Sequence, residues 1–107
     1  MSHKRDSDRV VTALLCRFEE EGAVCDGNIL DISRTGIGIE SYLPLKIGAK
    51  KQLQLIPTNL KLPAVVKWCI PDNNSYRIGL VFEEAAPEIT DIVQRLGEVW
   101  KRFLPEN

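Results

Sequence analysis

The chain has no apolar run approaching the roughly 20 residues that a helix needs to cross a bilayer. Its start, Met1 to Val10, is polar and charged where a signal peptide would need an apolar centre. Both absences predict a cytoplasmic protein with no membrane insertion. Histidine occurs once, at His3, and there is no CxxC, HExxH or phosphate-binding glycine loop, so little is present for metal or nucleophilic catalysis and an enzyme is not expected. The three cysteines, Cys16, Cys25 and Cys69, are odd in number and far apart, which suits neither a disulfide framework nor a metal site. They are expected as reduced thiols in or near the core, with no cofactor. A net charge of −1 supplies no field for a nucleic-acid polymer, whose binding rests on many phosphate contacts at once. Two Trp, two Tyr and three Phe are also few for a single-stranded RNA surface, so neither DNA nor RNA is an expected partner.

What is present is an ordinary globular balance, 44% hydrophobic and 27% charged residues over 107 positions, enough for one core and too little for two domains. A leader, 1–9, concentrates His3, Lys4, Arg5 and Arg9, diluted by Asp6 and Asp8. A single domain is expected over 10–104. Val10 to Phe18 reads as a strand stopped by Glu19-Glu20-Glu21-Gly22, and Ala23 to Ser33 as a second. Arg34-Thr35-Gly36 is a turn signal, and Ile37-Gly38-Ile39-Glu40 continues with period two as the other arm of a hairpin. Gln52 to Ile56, Leu62 to Ile70 and Tyr76 to Phe82 complete about six strands, the last two separated by the turn formers Pro71-Asp72-Asn73-Asn74-Ser75.

Short strands with regular turns predict an all-β fold, a six-stranded antiparallel barrel, which also removes exposed sheet edges. After Pro87 the period changes: Ile89, Ile92, Val93, Leu96, Trp100, Phe103 and Leu104 fall on one helical stripe. One C-terminal amphipathic helix is therefore expected, packed on an end or face of the barrel, with a partner surface as the alternative.

Two segments carry side chains suited to a ligand. Arg5 and Arg9 are four apart, a spacing that puts both on one face of a helix or of an extended strand. A guanidinium fork matches a phosphate, or the O6 and N7 acceptors of guanine, in a way a lysine ammonium does not. Asp31 and Ser33, two apart at a strand end, are expected to point to the same side, and Gly36 allows a positive φ or a close backbone approach. A carboxylate accepts from the N1 and N2 donors of guanine, and a hydroxyl serves a phosphate or a base edge. Each segment also has a bland reading, solvated arginines in one case and turn-making Asp, Ser and Gly in the other.

Together the segments resemble the PilZ family, whose signature is RxxxR in a leader followed, one strand later, by a hairpin bearing D/NxSxxG. Arg5 and Arg9 match the first motif, and Asp31, Ser33 and Gly36 the second. Ala64-Val65-Val66-Lys67-Trp68 and Arg77-Ile78-Gly79-Leu80-Val81-Phe82 are similar to the family's later strands. The resemblance implies a receptor for the bacterial second messenger cyclic di-GMP, bound outside the barrel beside the leader. Arg5 and Arg9 would grip guanine Hoogsteen edges and phosphates, Asp31 and Ser33 would hold another guanine, and Gly36 would let the hairpin lie against the ligand. Lys4 stands at a position that in this family bears on whether one ligand or a stacked pair is bound. Trp68 is expected in the core or at a barrel end, with an aromatic face offered to a base as the other reading. With no output domain, the signal would pass to a downstream protein; a scaffold that does not bind nucleotide in the cell is the alternative.

Overall fold

The computed structural model describes residues 10–11, 14–84 and 86–103, with side chains over 14–84 and 86–95. A two-residue strand, β1 (Val10–Val11), precedes β2 (Leu15–Glu20), β3 (Ala23–Ile32), β4 (Gly36–Ser41), β5 (Lys50–Ile56), β6 (Lys61–Asp72) and β7 (Ser75–Phe82), and the helix α1 (Pro87–Phe103) follows. Antiparallel pairing runs β3-β2-β5-β6-β7-β4 and returns from β4 to β3, closing a six-stranded barrel. β1 lies on the far end of β3, with Val10 opposite Ile32 and Val11 opposite Asp31. The single strand expected over Val10 to Phe18 is thus two, each against a different stretch of β3.

Alternation decides which side chains fill the barrel. Cys16 and Phe18 on β2, Leu53 and Leu55 on β5, Leu62, Ala64 and Val66 on β6, and Ile78, Leu80 and Phe82 on β7 are all buried. Their neighbours Arg17, Gln52, Lys61 and Arg77 face outward, as period two requires. Two strands break the period with a bulge. Ile29 and Ile32 are both buried although three residues apart, because the register of β3 against β4 shifts between Ile29 and Asp31. A second shift, between Val66 and Trp68, turns β6 so that Trp68 and Ile70 lie exposed on the outside.

The β2–β3 turn places Glu21 and Gly22 at φ 53° and 83°, and the β6–β7 turn is only Asn73-Asn74, so Pro71 and Asp72 belong to the strand. The first turns of α1 carry Ile89 and Val93, four apart, into the barrel core, with Ile92 packed against it. Pro87 opens the helix, where its missing N–H has no intrahelical acceptor to lose. No helix among the described residues is long and apolar enough to cross a membrane.

Candidate functional site

The turn between β3 and β4 is held by its own polar groups. The Ser33 amide donates to the Gly36 carbonyl at 2.9 Å, and the Ser33 hydroxyl accepts from the Thr35 amide at 3.3 Å. That hydroxyl also lies 3.3 Å from the Thr35 hydroxyl and 3.5 Å from the Gly36 carbonyl, and Ser33 as a whole is 1% exposed. The expectation that Asp31 and Ser33 share one surface therefore fails geometrically. Past the bulge Asp31 alternates with the buried Ile32 and faces outward, whereas Ser33 lies past the last residue of β3 and turns inward. Gly36 does not use a positive φ; a Cβ there would come within 2.6 Å of the Leu80 carbonyl on β7, so the close approach is to the neighbouring strand.

Asp31 faces a pocket of about 360 Å³ on the outer surface of β3, β4, β7 and β6. Thr35, Gly36 and Gly38 from the hairpin, and Lys67, Trp68 and Arg77 from β6 and β7, line it together with Asp31. The register explains the assembly. Asp31 pairs with Gly38, Gly38 with Gly79 and Gly79 with Trp68, so one row crosses four strands. Its two middle positions carry no side chain. Over Gly38 lies the Asp31 carboxylate, with Oδ1 3.0 Å from where a Cβ would be. The Trp68 indole covers Gly79 so closely that a Cβ there would meet its Cε2, Nε1 and Cζ2 atoms. Of those three the ring-fusion carbon Cε2 is nearest, as it is for contact with the ring face rather than the rim.

Trp68 is 44% exposed on the outer face of the barrel, which corrects its expected placement in the core or at a barrel end. Arg77 and Lys67 were singled out by no motif, nor were Gly38 and Gly79. The signal available in the sequence was glycine inside a strand-like run, which marks a place where something lies close to the backbone. Lys4, Arg5 and Arg9 lie outside the described residues. The nearest described residue, Val10, sits opposite Ile32, one position from Ser33.

A second cavity of about 470 Å³ lies over β2, β3, β5 and β6, lined by Arg17, Val24, Lys51, Gln54 and Lys61 among others. Three of its cations are committed elsewhere, Lys50 among them in an ion pair with Glu83 at 3.4 Å. Arg17 makes a bidentate pair with Asp26 at 2.9 and 3.2 Å, and the Lys51 ammonium donates to the Glu20 carboxylate and to the Glu19 carbonyl. The hydrogen bond from Arg17 holds the Asp26 carboxyl below the usual carboxylate range. Among the described residues no group of acidic, His and Cys side chains could hold a metal ion.

No curated protein matches the sequence. Solved structures share the fold: the PilZ domain of YcgR from Escherichia coli with c-di-GMP at a TM-score of 0.74 and 14% identity, over 88% of this chain and 92% of that one. The Bacillus subtilis inhibitor of motility MotI/DgrA superposes at 0.78 with 17% identity, over 97% of this chain and 55% of that one. MrkH of K. pneumonia in its apo state gives 0.71 and 24%, over 95% and 55%. This chain thus spans about half the length of MotI and MrkH, and at these identities the likeness is one of fold. The PilZ domain family model matches residues 3–97, nearly the whole chain, and the chain belongs to that family.

Proposed function

We propose that this protein is a cyclic di-GMP receptor without catalytic activity, which passes the signal to a partner protein. The observation that carries the reading is the outer pocket, where the Asp31 carboxylate, the Trp68 ring and the cations Lys67 and Arg77 converge beside the point at which the leader joins the barrel. A ligand with two phosphates and two guanines calls for such groups: an acceptor for guanine N1 and N2, an aromatic surface for a base, and guanidinium forks for phosphates or Hoogsteen edges. Family membership and the YcgR domain with c-di-GMP support it.

In this reading Arg5 and Arg9, with Lys4 beside them, bring the forks from the leader, and Asp31 holds a guanine edge. Ser33 acts through the turn, keeping Thr35 and Gly36 against the pocket. No covalent step is involved. The ligand and the outer face of the hairpin together form the surface that the partner recognises.

Isothermal titration with cyclic di-GMP tests this, with the Arg5→Ala/Arg9→Ala variant alongside and GMP and cyclic di-AMP as controls. Saturable heat from the wild type that is lost in the variant is expected. No heat from the wild type well above micromolar ligand would leave a protein-interaction scaffold instead.

A further inference from the structure

We propose that Gly38 and Gly79 are positioning residues of the nucleotide site, which by carrying no Cβ let the Asp31 carboxylate and the Trp68 ring lie side by side against the sheet. This rests on the cyclic di-GMP reading above and adds to it the means by which guanine is told from adenine. The two wall residues belong to strands that are not neighbours. Three strand spacings of about 4.8 Å separate the Asp31 and Trp68 backbones by roughly 14 Å, too far for both to serve one base if each stood upright. Each instead leans inward over a glycine. The carboxylate then stands above β4 and the indole above β7, roughly one strand spacing of 4.8 Å apart. A purine stacked on the exposed indole face presents its edge to the carboxylate. Guanine donates there through N1 and N2, a pair of donors that adenine lacks.

Glycine weakens a strand interior, through backbone entropy and the loss of a packing side chain, so each of these positions calls for a reason. Gly36 has a purely structural one, the Leu80 carbonyl on the next strand. At Gly38 the atoms nearest a built Cβ all belong to the Asp31 carboxyl group, and at Gly79 all three belong to the Trp68 ring. Packing accounts for an aromatic ring over a glycine. At Gly38 the space a side chain would take is held instead by a carboxylate on the wall of the pocket.

The experiment measures the affinity of each protein for cyclic di-GMP and for cyclic di-AMP, so that both strength and selectivity are read. Gly38→Ala crowds the Asp31 carboxylate, whose Oδ1 lies 3.0 Å from the added Cβ, and shifts it from the base edge; cyclic di-GMP binding is expected to fall by up to about tenfold, the limit set by one lost charged hydrogen bond, and the selectivity ratio to fall with it. Gly79→Ala displaces the ring, and because stacking is indifferent to base identity both ligands should weaken by a similar factor. Gly27→Ala is the structural control: its Cβ would come within 2.9 Å of the Glu40 carbonyl, so it lowers the melting temperature without moving the ratio.

An unchanged ratio in a folded Gly38→Ala variant overturns the proposal. Should that variant fail to fold, unchanged affinity for both ligands in Gly79→Ala overturns it equally. A wild type that binds neither ligand defeats the receptor reading itself, and is thereby distinguished from failure of the positioning role.

Discussion

Burial pushes the Cys16 thiol up from its ordinary 9.0 to about 12, with the nearby Asp26 charge adding to the effect. Cys16 is fully enclosed on β2, while Cys25 and Cys69 are partly exposed, and all three are free. A thiol reagent at pH 8 is therefore expected to modify Cys25 and Cys69 on the native protein, and Cys16 only at the rate of unfolding. The same shift links stability to pH. Between about pH 9 and 12 the unfolded chain releases a proton that the folded chain retains, so stability falls as pH rises through that window, by about 1.4 kcal/mol per unit from this group. Chemical denaturation of Cys16→Ala beside the wild type checks it, since the other titrating groups are common to both; parallel profiles above pH 9 would contradict it. At the proposed site, Asp31→Ala removes a charged acceptor from the pocket and is expected to weaken cyclic di-GMP binding roughly 10- to 100-fold in isothermal titration.

At the scale of elements, the β2–β3 turn holds Glu21 at φ 53°, a conformation that side chains other than Asn, Asp and Gly adopt at a cost of about 1 kcal/mol. Glu21→Asn makes the turn Asn-Gly, the pair that two-residue hairpins favour, and should raise stability by up to about 1 kcal/mol in urea denaturation. Ile89, 1% exposed, ties α1 to the barrel, and Ile89→Ala should cost about 2–5 kcal/mol by the same measurement.

The barrel strands were legible in the sequence because a half-buried strand writes period two into its residues, as in Gln52 to Ile56. The helix was legible because Ile89, Ile92 and Val93 repeat at helical spacing. The bulges were not. A bulge adds one residue without a signature, and the shift at Leu30 decides that Ile29 and Ile32 both face inward. The one at Lys67 likewise brings Trp68 outside, where an aromatic in an apolar run reads as core. The inward turn of Ser33 was hidden for a related reason: alternation holds only while the strand lasts, and β3 ends at Ile32.

At the scale of the whole molecule, the proposed site lies on one outer face of a closed barrel. The motif DxSxxG announced half of the pocket, the hairpin half. The other half, Lys67, Trp68, Arg77 and Gly79, comes from strands roughly 30 to 50 residues further on, and only the ring order β3-β4-β7-β6 makes them neighbours. Closure of the barrel also separates this face from the second cavity over β2 and β5, whose cations Arg17, Lys50 and Lys51 are paired with carboxylates outside its lining.

That separation sets the most direct measurement: amide and indole resonances of the isotopically labelled protein, followed as cyclic di-GMP is added. The largest changes should fall on Gly36, Gly38, Gly79 and the Trp68 indole, while Arg17, Gln54 and Lys61 stay fixed. Changes centred on Arg17, Gln54 and Lys61, or a spectrum that does not move at millimolar ligand, would contradict the assignment of this face as the site.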